Sequence, residues 1–156
     1  MHINILMVGK NKDEFVALAE KEYLKRLQPF LSVNLVIIPS NKINSKAEVE
    51  KVKNFESEKI LKRITEKSFL IALDEKGRHY TSIEFANHLN KLLVSQNKPL
   101  CFIIGGTYGL ANELKKHCDE IISLSKMTFT HQMIRIILLE QIYRAMTIIK
   151  GKKYHY

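Results

Sequence analysis

Acidic residues are in short supply. Against 25 Lys+Arg stand 16 Asp+Glu, a formal net charge of +9 with a pI near 9.5. A surplus of that size on 156 residues favours an anionic partner, nucleic acid first, with a merely soluble basic protein as the alternative. Cysteine is scarcer still. Cys101 and Cys118 lie outside any C-x-x-C or Cys/His pattern with zinc spacing, and His2, His79, His88 and His117 also lack ligand spacing. Both cysteines read as small buried hydrophobes, which points to a reduced, cytoplasmic protein without a metal site. No apolar run reaches membrane-spanning length, and residues 1–8 are too short and uncharged for a signal peptide. With no linker, repeat or low-complexity tract, residues 1–156 read as one domain.

What is present is a series of apolar runs separated by helical patterns. Residues 2–8, 33–38, 69–73, 100–104 and 120–124 read as strands; Pro39 stops the second and the turn-forming Asp74-Glu75-Lys76-Gly77 the third. Asp13 is expected to cap a helix carrying Phe15, Leu18, Ala19, Tyr23, Leu27 and Phe30 at helical spacing. A charged helix over residues 46–64 has only a narrow apolar stripe, and Thr81 or Ser82 caps the next helix. A short helix over 111–118 and a long apolar one over 133–149 complete the pattern. Continuous rather than alternating apolar strands, with helices between them, predict an α/β fold with a parallel sheet covered on both faces.

Two runs carry the chemistry. In Phe102-Ile103-Ile104-Gly105-Gly106-Thr107-Tyr108-Gly109-Leu110 and Ser123-Leu124-Ser125-Lys126-Met127-Thr128-Phe129, a buried strand feeds a tight loop. In open parallel sheets such loops gather at the carboxyl ends of strands, where ligands bind, so together they suggest one small-molecule pocket. The glycine loop lacks the Lys-Ser/Thr of a phosphate-cradling loop and the G-x-G-x-x-G of a dinucleotide site. His131 has no G-x-S-x-G partner, which argues against a hydrolase. In the last helix, Arg135 is expected to face solvent and Arg144, nine residues on, to share roughly its face. Pairing with Glu140 or lining a site are the alternatives for an arginine there. The tail, Lys150-Gly151-Lys152-Lys153-Tyr154-His155-Tyr156, is short enough to fray. Its lysines interleaved with aromatics also suit phosphate contact and base stacking, and His155 suits proton acceptance near neutral pH.

In order along the chain, these segments resemble the RlmH family of SPOUT-class RNA methyltransferases. The resemblance runs from Ile3-x-x-x-x-Val8-Gly9-Lys10 and Lys21-x-Tyr23-x-x-Arg26-Leu27 through both loops to Gln141-x-Tyr143-Arg144-Ala145 and Tyr154-His155. Thr130 departs from the family pattern, which often has proline there. The resemblance implies a parallel-sheet SPOUT fold with a C-terminal trefoil knot, and S-adenosylmethionine as methyl donor. The implied acceptor is N3 of pseudouridine 1915 in helix 69 of 23S rRNA, on the assembled ribosome. By position, Leu73, Gly105, Leu124, Ser125, Lys126, Met127, Thr128 and Phe129 would hold the cofactor, and Arg144, Tyr154 and His155 would face the acceptor. A cytoplasmic homodimer, the tail of one subunit completing its partner's site, is implied as well. A SPOUT enzyme acting on another RNA position, or a non-catalytic ribosome-binding module, are the competing readings.

Overall fold

The computed structural model describes residues 2–10, 12–41, 45–64, 67–96 and 98–154. Five strands, β1 (His2–Val8), β2 (Ser32–Ile38), β3 (Phe69–His79), β4 (Leu100–Ile104) and β5 (Glu120–Ser123), form one all-parallel sheet in the order β2-β1-β4-β3-β5. The expected α/β class is what the chain adopts. The helices α1 (Glu14–Leu27), α2 (Val49–Leu61), α3 (Ser82–Ser95), α4 (Asn112–Lys116) and α5 (Met133–Ile149) divide between the two faces.

Side chains alternate across a strand, and this sorts the core. Ile3, Ile5 and Met7 of β1 point to the face covered by α1, α3 and α5, where Phe102, Leu89, Leu138 and Ile142 pack. Leu6 and Val8 point the other way, toward Ile60 of α2 and Leu114 of α4. Both faces are apolar, so the strands read as unbroken hydrophobic runs.

Three local expectations change. Asp13 precedes α1 but its side chain makes no cap; its carbonyl instead accepts the N–H groups of Val16 and Ala17. Thr81 does form a reciprocal cap: its hydroxyl accepts the Glu84 N–H, and the Glu84 carboxylate accepts the Thr81 N–H at 2.7 Å. In α1 the buried stripe is Val16, Glu20 and Leu27, whereas Phe15 and Leu18 are 59% and 60% exposed. Helical spacing alone marks two apolar stripes, and only one of them finds the sheet.

The third correction concerns β3, which does not stop at Leu73. Pairing with β5 jumps from Leu73↔Ile122 to Arg78↔Ile122, so residues 74–77 bulge out and the strand resumes to His79. Gly77 permits the return, since a Cβ there would sit 2.5 Å from the Ile122 carbonyl carbon. Backbone cannot yield as a flexible side chain can. Gly77→Ala is therefore expected to lower the unfolding free energy by ~3 kcal/mol, the upper part of the range for overpacking. Urea titration checks this, and a loss below about 1 kcal/mol would show that the bulge can shift.

Candidate functional site

Strands β4, β3 and β5 are neighbours, so the loops at their carboxyl ends meet. They enclose a cavity of about 1100 Å³ that reaches the start of α5. Of the residues expected to hold a cofactor, Leu73, Gly105, Leu124, Ser125, Met127, Thr128 and Phe129 line it; Lys126 is exposed and is not among the lining residues.

Each wall has a local cause. After β4, the Gly109 N–H donates to the Gly106 carbonyl at 3.0 Å, closing a four-residue turn. The turn folds so tightly that a Cβ on Gly105 would lie 2.7 Å from the Gly109 carbonyl carbon. After β5, the Ser123 hydroxyl donates to the Ser125 carbonyl at 2.7 Å, and the Ser125 hydroxyl accepts the Met127 N–H at 2.9 Å. Thr130, at the position where proline was expected from the resemblance, accepts the Met133 N–H with its hydroxyl and starts α5.

The wall after β3 is held by charge. Asp74 accepts the Lys76 N–H on Oδ1 and the Lys115 ammonium on Oδ2, both at 2.9 Å. Burial pushes the Asp74 carboxyl up, but the bond to Lys115, the Lys76 N–H and both lysine charges together leave it below the ordinary value. The pair thus ties the bulge to α4. Nothing in the spacing of Asp74 and Lys115 announces it, because sheet order alone makes them neighbours.

Just before α5, Gln132 Oε1 is buried with no hydrogen-bond partner among the described residues, and Gln132 is one of the residues lining the cavity. His131 lines it too; burial, then the charges of Arg135 and Lys12, lower its pKa and favour the neutral imidazole. Arg135 overturns its expectation. It is 1% exposed, and its Nη2 donates to the carbonyls of Val8 and Gly9 at 2.6 and 2.7 Å. The shared face is wrong as well, since nine residues make about two and a half turns and place Arg144 opposite Arg135.

Arg144 and Tyr154 do come together, at the far end of α5. The guanidinium lies 4.9 Å from the centroid of the Tyr154 ring, and both side chains reach Glu140. His155 lies outside the described residues. Ile134 lines the cavity and Arg144 follows ten residues later, about 15 Å along the helix. One chain therefore holds the two expected groups apart. Neither thiol competes as a nucleophile: burial pushes Cys101 up to about 12 and Cys118 to about 11. No group of three His, Cys, Asp or Glu among the described residues could hold a metal ion.

A family model described as "Predicted SPOUT methyltransferase" matches residues 1–155. A protein named ribosomal RNA large subunit methyltransferase H from Halothermothrix orenii is 46% identical, covering 99% of both chains. One of the same name from Dictyoglomus thermophilum is 43% identical, covering 100% of both. The solved structure of a probable methylase family protein from Haemophilus influenzae aligns with a TM-score of 0.55 at 13% identity, covering 99% of this chain and 70% of that one, a likeness of fold.

If the Asp74–Lys115 pair holds the bulge, Lys115→Ala should raise amide exchange at Lys76 and Gly77 by about fivefold, the ~1 kcal/mol of a partly exposed ion pair. Exchange by NMR tests this; a rise confined to α4 would show that the bulge stands without the pair.

Proposed function

This chain belongs to the SPOUT methyltransferase family, and from that membership we propose that it methylates N3 of the helix 69 pseudouridine in 23S rRNA on the assembled ribosome. The observation that supports this most is the full-length likeness to the two ribosomal RNA methyltransferases. We read residues 1–156 as one cytoplasmic catalytic domain, with the trefoil path of the resemblance as part of the same proposal. No helix among the described residues is long and apolar enough to cross a membrane.

The family implies S-adenosylmethionine as donor, and the cavity suits it. Its volume of about 1100 Å³ accommodates a nucleoside-sized ligand. The apolar Leu73, Ile104 and Leu124 suit an adenine ring, and the unpartnered Gln132 Oε1 suits an amino donor. Leu73, Gly105 and residues 124–129 would hold it, and when bound it supplies an electrophilic methyl group on a sulfonium. The protein's remaining task is orientation of the base and removal of the N3 proton. Arg144 stabilises the negative charge that deprotonation develops on the base. Burial chiefly, with Tyr23 and Glu140, raises the Tyr154 pKa, so its phenol stays protonated and donates a hydrogen bond. His155 is then the proposed proton acceptor.

These groups act across a homodimer in this reading. The separation along α5 supports it, as does the exposed apolar surface of Phe15 and Met133, which line the cavity. A second copy covers that surface and brings its tail to the donor. The net charge of +9 serves phosphate contact.

The decisive experiment supplies labelled S-adenosylmethionine and ribosomes from cells lacking this protein, then maps the modified nucleotide. Label on N3 of the helix 69 pseudouridine is expected. Label elsewhere would keep the methyltransferase and replace its target, while absent label with absent cofactor binding would favour a ribosome-binding module. The transfer rate at limiting ribosome should also fall about tenfold or more between 50 and 200 mM salt, as phosphate contacts require; a flat response would remove the charge from the account.

A further inference from the structure

Away from the cavity, several side chains converge on one carboxylate. Glu140 Oε1 accepts from Arg144 Nη2 at 2.6 Å and Nε at 3.0 Å, and the Tyr154 hydroxyl lies 3.4 Å from the same oxygen. Oε2 accepts from Gln141 Nε2 at 2.6 Å. Gln141 in turn accepts the Ser82 hydroxyl at 3.3 Å, in the first turn of α3. The carboxylate is held from one side by α3 and holds the arginine and the tail on the other.

The tail reaches this point by a defined path. At the end of α5 the Lys152 N–H donates to the Thr147 carbonyl and the Gly151 N–H to Ile148, with Gly151 at φ +62°. This glycine-terminated helix end reverses the chain. The reversed segment then crosses aromatic surface: Lys152 sits 4.6 Å from the Phe30 centroid, and Tyr154 meets Tyr143 edge-on at 4.8 Å. Tyr143 in turn packs edge-on against Phe30 at 6.0 Å. The segment thus packs against α5 and Phe30 as far as Tyr154.

We infer that Glu140 is a positioning residue for the acceptor side, fixing the Arg144 guanidinium and the Tyr154 phenol as one unit before the base arrives. The inference rests on the proposed roles of Arg144 and Tyr154. A free arginine side chain spreads over many rotamers, and ordering it during the reaction costs about 2 kcal/mol. Glu140 supplies that order beforehand. It precedes Arg144 by four residues, the favourable orientation for such a pair, and the side chains are only 17% and 26% exposed, so water screens the contact weakly. It touches neither the cavity nor, in this reading, the reacting atoms.

The test compares Glu140→Ala, Glu140→Gln and Arg144→Ala in the full chain, by single-turnover methyl transfer to ribosomes and by calorimetric titration with S-adenosylmethionine. Glu140→Ala should slow transfer by about 30-fold, with donor affinity and ribosome KM within about twofold of the parent. Glu140→Gln, which keeps an acceptor oxygen without the charge, should recover part of that rate. Adding Glu140→Ala to Arg144→Ala should cost little more than Arg144→Ala alone, because the carboxylate acts through the guanidinium. Transfer by Glu140→Ala within about threefold of the parent, with Arg144→Ala inactive, would overturn the positioning role and leave the acceptor-side reading standing. Full activity of Arg144→Ala would overturn both. Equal loss of donor affinity and rate, or failure of both Glu140 variants to fold, would make Glu140 a structural residue and reject the inference.

Discussion

The architecture turns on a buried cation. Arg135 enters the protein from a helix that is otherwise almost wholly apolar, and its guanidinium ends on the carbonyls of Val8 and Gly9. A charge without partners there would be prohibitive. The end of a parallel strand offers carbonyls whose ladder has run out, so the two needs meet. Burial still lowers the Arg135 pKa, with the charge of the buried Glu20 working in the opposite direction. The Gly9 N–H meanwhile donates to the Ile38 carbonyl, so the same corner joins β1, β2 and α5.

Fixing α5 at that point fixes both of its ends. Its start, Met133 and Ile134 with the preceding His131 and Gln132, borders the cavity, while its middle and later turns carry Glu140, Tyr143 and Arg144. About 15 Å of this helix, ten residues at 1.5 Å each, separates Ile134 at the cavity from Arg144. A rigid spacer cannot fold back on itself. In the proposed reaction, the proposed second subunit would bring the acceptor side of one copy to the cavity of the other.

The proposed donor and acceptor sides are preorganised by different means. Loops after β3, β4 and β5 are held by short local bonds, a glycine turn, two serine hydroxyls and the Asp74–Lys115 pair. The proposed acceptor side relies on a carboxylate clamp and on aromatic edges that dock the tail. Both arrangements place order in the free protein, where it lowers the entropy lost on reaching a reactive geometry.

Much of this was legible in the residues. The limits of β4 and α5 follow from apolar continuity and period, the capping box from Thr81 and Glu84, and the cavity from two strand-to-loop runs. These are local signals, carried by neighbours in the chain. The i,i+4 spacing of Glu140 and Arg144 belongs with them, although its meaning needed the tail. What only the folded chain decided was which apolar stripe of α1 meets the sheet, and that β3 resumes after a bulge. The burial of Arg135 and the pairing of Asp74 with Lys115 belong to the same class. Each depends on strand order and on partners many residues away, and periodicity carries no information about distant partners.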